Sequence, residues 1–129
     1  MKLNHDHVRS LLLFVEESKD NSSRSQSELE TFSEQKDIAK DEVIYIINRL
    51  EEAGFIKSNI QYASSKVYRY SINAITWTGH EYLDNIRDPK IWKLVKKTTS
   101  KLSGVSLSVM GVLAKDALLK VLSGEITIP

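Results

Sequence analysis

The chain has 129 residues, of which 41% are apolar, and a formal net charge of +1. Its length predicts one domain with an ordinary hydrophobic core, and its lack of cysteine excludes disulfides, cysteine-based metal sites and thiol catalysis. No apolar run reaches the roughly 20 residues of a membrane span, and no apolar signal core follows the first residues. We therefore expect a cytoplasmic protein without membrane contact.

The two halves of the chain differ in charge. Residues 1–64 carry 8 Lys/Arg and 12 Asp/Glu, a net charge of −4, whereas residues 65–129 carry 10 and 5, a net charge of +5. Such an asymmetry indicates a surface that faces a polyanion or an acidic partner. A chance distribution of charge over a solvated surface is the alternative.

The first half predicts two main helices separated by a polar segment. A helix over residues 4–17 is indicated by Asn4 as N-cap and by four apolar residues at helical spacing. Residues 18–28 are polar and predict a loop, after which Leu29 and Phe32 form a short edge strand or anchor the loop. One helical turn is expected over residues 37–40. A longer helix, capped by Asp41, then continues through residue 53 and ends at a left-handed Gly54. Its apolar arc comprises Val43, Ile46, Ile47, Leu50 and Ala53.

The second half predicts a hairpin followed by three helices. Alternating apolar and polar residues predict strands over 55–62 and 67–73. The connection over residues 63–66 lacks Gly, Asn and Asp, so we expect a wide tip rather than a two-residue turn. Helices are predicted from Thr76 or Thr78 to about residue 87, from Pro89 to about residue 102, and over residues 106–122 with Ser106 as the cap.

Two motifs lie on either side of the hairpin. LEEAGFI (50–56) resembles the join between recognition helix and wing in bacterial winged-helix regulators, and TWTGHEYL (76–83) resembles the start of the helix after the wing. Further stretches are MKLNHDHVRSLLLFVEE (1–17), ITWTGHEYLDNIRD (75–88) and IWKLVKK (91–97). With LEEAGFI, they make nearly the whole chain similar to a family of small bacterial and prophage proteins classed as a domain of unknown function. The resemblance implies a bacterial or phage origin and an α+β, mostly helical, winged helix-turn-helix fold with a two-stranded wing. Residues 1–88 would form that domain, and residues 89–129 a helical extension packed on it.

The helix over 41–53 is the candidate base reader. Its outer arc carries Tyr45, Asn48 and Arg49, and side chains of the last two types read adenine and guanine edges. Carboxylates on the same arc, at Asp41, Glu42 and Glu52, would repel phosphates. The alternative is a structural helix whose outer face is solvated.

Two basic segments are candidate phosphate contacts. The hairpin carries three cations, Lys57, Lys66 and Arg69, among tyrosines, a combination that suits nucleic acid; the alternative is that the tyrosines only cover the core. The helix that begins at Pro89 is amphipathic and would track phosphates or bind an acidic protein, unless its basic face is merely solvated. Its basic arc comprises Lys90, Lys93, Lys96, Lys97 and Lys101.

The last helix is apolar on more than one side, which predicts burial from more than one side. We expect a homodimer through it, unless it is wedged between the first helix and the lysine helix. The residues assigned to this contact are Leu107, Val109, Met110, Val112, Leu113 and Leu119.

Catalysis and cofactor binding have little support in the sequence. His5 and His7 point apart on a helix, His80 reads as a buried histidine, and no glycine-rich phosphate loop is present. We therefore expect no enzyme, no cofactor and no metal. The leading hypothesis is a dimeric regulator that binds double-stranded DNA, and the alternative is a protein-interaction adaptor or phage-encoded inhibitor on the same scaffold.

Overall fold

The computed structural model describes residues 1–20 and 22–128. This part of the chain contains six helices and a two-stranded antiparallel sheet, which confirms the predicted α+β, mostly helical class. Three helices precede the hairpin, as in a winged-helix layout. The elements are α1 His5–Glu16, α2 Gln26–Lys36, α3 Lys40–Glu52, β1 Ile56–Ala63, β2 Lys66–Ile75, α4 Trp77–Ile86, α5 Pro89–Thr99 and α6 Leu107–Leu122.

The core forms where the apolar faces of the helices meet the inner face of the hairpin. Asn4 caps α1 as predicted, because its side chain accepts the backbone N–H groups of Asp6 and His7. The apolar arc predicted for the first helix is buried, and so is the arc predicted for α3 except for Ala53, which is exposed after the end of the helix. Tyr70 and Ile72 of β2 belong to the same core. The buried arcs are Val8, Leu11, Leu12 and Val15 of α1, and Val43, Ile46, Ile47 and Leu50 of α3.

Residues 26–36 form a helix, so the loop predicted to continue to residue 28 and the edge strand predicted near Leu29 and Phe32 are wrong. The helix begins with a capping box, in which the Ser25 side chain accepts the Glu28 backbone N–H and Glu28 accepts the Ser25 N–H. Leu29 and Phe32 lie one turn apart and are both buried. A single β-bridge between Arg24 and Ile72 extends the sheet just before this helix.

The connection between α2 and α3 is a tight turn. Asp37 is left-handed, with φ 54°, and ends α2, so the helical turn predicted over residues 37–40 is wrong. The helix α3 begins at Lys40, and its N-cap is Ala39, which makes no side-chain capping bond. Asp41 therefore lies in the first turn of α3 and not at the predicted cap.

The hairpin tip is tighter than predicted. Ala63 pairs with Lys66, so only Ser64 and Ser65 form the turn. Both serines have positive φ, 52° and 66°, as a type I′ turn requires. The prediction of a wide tip was wrong because the ladder from residue 56 to residue 75 stabilises a backbone conformation that serine rarely adopts alone.

Thr76 joins both ends of the hairpin to the start of α4. Its hydroxyl donates to the Gly54 carbonyl at 2.5 Å and accepts the Gly79 N–H at 3.0 Å, and its backbone N–H donates to the Phe55 carbonyl at 2.9 Å. Gly54 is left-handed as predicted, with φ 79°. We call these contacts the Thr76 clamp.

The clamp predicts a large effect of a single methyl group at Gly79. A Cβ there would lie 2.0 Å from the Phe55 carbonyl oxygen and 2.8 Å from Cγ2 of Ile75. We expect Gly79→Ala to lower the free energy of unfolding in urea by about 2–3 kcal/mol, even though alanine favours helix. Gly104→Ala is the control, because a Cβ there meets no atom within 4 Å. Equal stability of the two variants would contradict this account.

Candidate nucleic-acid interface

The predicted base reader Arg49 is held by its neighbours on the outer face of α3. Its guanidinium donates to the Glu52 carboxylate and lies 5.5 Å from the centre of the Tyr45 ring. Asn48 lies beside it and is half-buried. Because exposed ion pairs contribute only about 0–1 kcal/mol, Arg49 can leave Glu52 at small cost to meet a phosphate or a base.

The other carboxylates of α3 that have partners also serve the fold. Glu42 pairs with Nδ1 of His7 on α1, and Oε1 of Glu51 accepts the backbone N–H of Ser58 at 3.0 Å. The first contact fixes α3 against α1, and the second fixes the end of α3 against β1. Much of the acidic character predicted for this helix is therefore used in internal contacts, whereas Asp41 is exposed.

The hairpin presents its cations to solvent. Lys57, Lys66 and Arg69 are all exposed. Within residues 1–20 and 22–128, none of the three forms an ion pair with a carboxylate. Their charge is therefore available to an external anion.

The hairpin tyrosines divide between the core and the surface. Tyr70 is buried, and this burial raises its pKa to about 12. Tyr62 and Tyr68 are 58% and 51% exposed, because a bulge at Gln61/Tyr62 interrupts the regular alternation. Tyr68 donates to the Gln61 amide oxygen at 2.8 Å and lies 5.8 Å below the Arg69 guanidinium. Of these three tyrosines, only Tyr70 covers the core, and Tyr62 and Tyr68 face solvent.

The basic arc of α5 is less uniform than predicted. Lys90, Lys93 and Lys97 are exposed and, in the described part of the chain, form no ion pair. Lys101 is also exposed, but α5 ends at Thr99 and not near residue 102, so Lys101 lies in the following turn. Lys96 pairs with Asp6 at 2.9 Å, so its charge is partly used inside the fold.

Asp6 joins the first turn of α1 to α5. One carboxylate oxygen accepts the indole N–H of Trp92 at 2.8 Å and the other accepts Lys96. Burial would raise the pKa of Asp6, but the hydrogen bonds from Lys96 and Trp92 together outweigh it, so the pKa lies below its ordinary value of 3.8. Lys96 is therefore a structural residue.

A cleft of about 480 Å³ brings the predicted DNA-binding helices to one side of the molecule. Tyr45 of α3 and Lys96 of α5 both line it. Nε2 of His5 contacts the Val105 carbonyl oxygen at 2.6 Å on another wall of the cleft. The outer face of α3 and the helix α5 thus border the same cleft.

The predicted dimer residues of α6 fall into two groups. Leu107 and Met110 are buried in the core of the monomer, which corrects their assignment to a subunit contact. Val109, Val112 and Leu119 are exposed, and Leu113 is partly buried against the core. The helix packs against α4 and α5, so it is not wedged against the first helix.

The remaining site expectations concern histidines and the membrane. His80 is half-buried and not buried as predicted. Among the described residues, no three His, Cys, Asp or Glu side chains lie close enough together to hold a metal ion. No helix in residues 1–20 or 22–128 is both long and apolar enough to cross a membrane.

Comparison with known proteins agrees with the predicted resemblance. The model of the family described as "Hypothetical protein (DUF2513)" matches residues 2–106. The chain belongs to the DUF2513 family. An uncharacterized protein of Haemophilus influenzae is 33% identical over 109 residues, which cover 84% of this chain and 86% of the relative. No solved structure matches. The DUF2513 match contains α3, the hairpin and α5, so all the candidate DNA contacts lie inside it.

The geometry of Asp6 predicts a pH-dependent contribution to stability. The pKa of Asp6 is lower in the folded state than in the unfolded state, so its ionised carboxylate stabilises the fold above the unfolded pKa. This stabilisation is lost as the pH falls through the folded pKa. We expect Asp6→Asn to lower the free energy of unfolding at pH 7 by roughly 1 kcal/mol, discounted for exposure. The difference from wild type should shrink below about pH 3.8. Asp20→Asn is the matched control, and a difference that is constant between pH 7 and the acid range would refute the assignment.

Proposed function

We propose that this DUF2513 protein is a DNA-binding winged-helix module that acts as a bacterial or prophage transcriptional regulator. The observation that carries the proposal is the set of exposed hairpin cations, Lys57, Lys66 and Arg69, which have no carboxylate partner in the described chain. They belong to a hairpin that packs against the end of α3. Free cations of this kind suit a duplex, because phosphate neutralisation supplies most non-specific affinity.

The roles of the elements follow from their positions. The hairpin contacts phosphates or the minor groove, while α3 faces the major groove with Asn48 and Arg49. Tyr45 keeps the Arg49 guanidinium on the outer face through their ring contact. The exposed lysines of α5 and the following turn provide a second phosphate contact on the other side of the cleft. They are Lys90, Lys93, Lys97 and Lys101.

The hairpin cations predict the salt dependence of duplex binding. Each phosphate contact contributes about 0.9 to the slope of log K against log salt. We expect Lys66→Gln/Arg69→Gln to weaken binding to a random duplex and to reduce that slope by about 2 in fluorescence anisotropy titrations. The control variant Lys19→Gln/Lys120→Gln removes the same amount of charge, from the segment after α1 and from α6. We expect it to change the slope little.

This titration can end the proposal. No binding of the wild-type protein to a duplex at about 50 μM and low salt, where non-specific affinity should be measurable, would contradict DNA binding. Equal slopes for the two double variants would remove the hairpin from the interface.

The Arg49–Glu52 pair predicts a gain in affinity. Glu52→Gln removes a carboxylate from the face of α3 and frees Arg49, so we expect duplex affinity to rise by roughly threefold to tenfold at low salt. Glu17→Gln makes the same charge change at the end of α1 and is the control. An equal rise in both variants would show a net-charge effect and no role for α3.

A protein-interaction adaptor, such as a phage-encoded inhibitor of a host protein, is the second candidate. It is favoured by the exposed rings of Tyr62 and Tyr68, since aromatic side chains are enriched in protein interfaces. Affinity capture from a nuclease-treated bacterial lysate distinguishes the two functions. A stoichiometric protein that is lost with Tyr68→Ser would support the adaptor, and recovery of none would count against it.

A further inference from the structure

A second surface lies between α4 and α6. A shallow groove of about 220 Å³ separates the two helices, and its lining includes Phe55, Tyr82 and Val112. Gly111 allows the close approach of α6, since a Cβ at that position would lie 3.2 Å from the Tyr82 ring. The groove is a recess with an apolar floor.

The two helices that line this recess also carry large apolar side chains that are exposed to solvent. Trp77, at the start of α4 beside the groove residues Thr78 and Glu81, is 80% exposed. On α6, Val112, Leu119 and Leu122 are 64%, 55% and 74% exposed. At 100° per residue these three and the groove residue Lys115 fall within an arc of about 80°, so they form one stripe. Single exposed apolar residues are ordinary, but several on one helix face favour an interface.

The groove also carries one charge of each sign. Glu81 lines it from α4 and Lys115 lines it from α6. In the described chain, neither side chain forms an ion pair with another residue. Both charges are therefore available to a molecule that binds there.

We propose that this surface is the interface of a two-fold symmetric homodimer. In such an interface each contact between two different residues occurs twice, once on each side of the two-fold axis. The α4–α6 surface carries both members of each pair that such an interface needs. One pair is the indole of Trp77 and the recess, and the other is Glu81 and Lys115. Trp77 of each protomer packs over the partner's groove, and Glu81 of each protomer faces the partner's Lys115.

A second copy of this chain explains the surface better than an unrelated partner does. An unrelated protein would need to supply a match for the indole, the recess and both charges, whereas a second copy of this chain carries all four features. The proposal also extends the predicted contact from α6 to α4, and adds Trp77 and Leu122 to the exposed residues Val112 and Leu119.

Charge reversal tests the pairing by sedimentation velocity between about 1 and 200 μM protein, the range of weak to moderate dimers. We expect the wild type to dimerise, and Glu81→Lys and Lys115→Glu each to raise the dimer Kd by about tenfold or more, because each places like charges opposite each other. The double variant restores the opposite-sign pair and should recover wild-type affinity. Circular dichroism and urea unfolding confirm that each variant is folded.

Fluorescence locates the contact independently. The chain has two tryptophans, so Trp92→Phe leaves Trp77 as the only one. We expect the Trp77 emission to shift to shorter wavelength over the concentration range in which the dimer forms. A wild type that stays monomeric throughout, single variants that dimerise like the wild type, a double variant that does not recover, or an unshifted Trp77 in a dimer would each overturn the proposal. Neither measurement uses DNA, so its failure is separate from failure of the proposed function.

Discussion

The Thr76 clamp is the contact on which the layout of the molecule depends. It binds Gly54 after α3, Phe55 just before β1 and the first turn of α4 through three hydrogen bonds centred on one threonine. Each bond contributes about 0.5–1.5 kcal/mol, but their larger effect is geometric. The two ends of the hairpin are held together, so the direction in which it leaves α3 is fixed. The close packing of Gly79 on Phe55 further constrains the position of α4.

The charges of the surface follow from this geometry. Since the hairpin is fixed, Lys57, Lys66 and Arg69 keep a constant position relative to α3. On the other side, Asp6 holds α5 through Trp92 and Lys96, and Tyr45 and Lys96 come to line one cleft. The carboxylates that made α3 look acidic are largely occupied by His7, Arg49 and the backbone of Ser58. The local balance of charge therefore differs from the balance that the composition of α3 suggests.

Local signals in the sequence predicted most of the elements. Asn4, Gly54, Thr76 and Ser106 act where their capping chemistry places them, and the apolar periodicities of α1 and α3 match their buried faces. The helix α2 was missed because its 11 residues carry only two large apolar side chains, although the capping box at Ser25 and Glu28 was readable.

Side-chain pairing was the part that sequence could not supply. The Arg49–Glu52 pair lies three residues apart on one helix and could have been foreseen. The pairs His7–Glu42 and Asp6–Lys96 join residues far apart in sequence, so only the fold brings them together. The split between buried and exposed residues on α6 also depends on where α4 and α5 pack, and the sequence of α6 alone does not contain that information.

The central claim is that the hairpin and the outer face of α3 form one DNA-binding surface, separate from the α4–α6 groove. The most direct measurement is a map of backbone amide chemical-shift changes when a random duplex is added to the ¹⁵N-labelled protein at low salt. The account predicts changes concentrated in residues 45–52, 57–69 and 90–101, with α6 unaffected. Changes confined to Trp77, Glu81 and α6, or none at all, would contradict it.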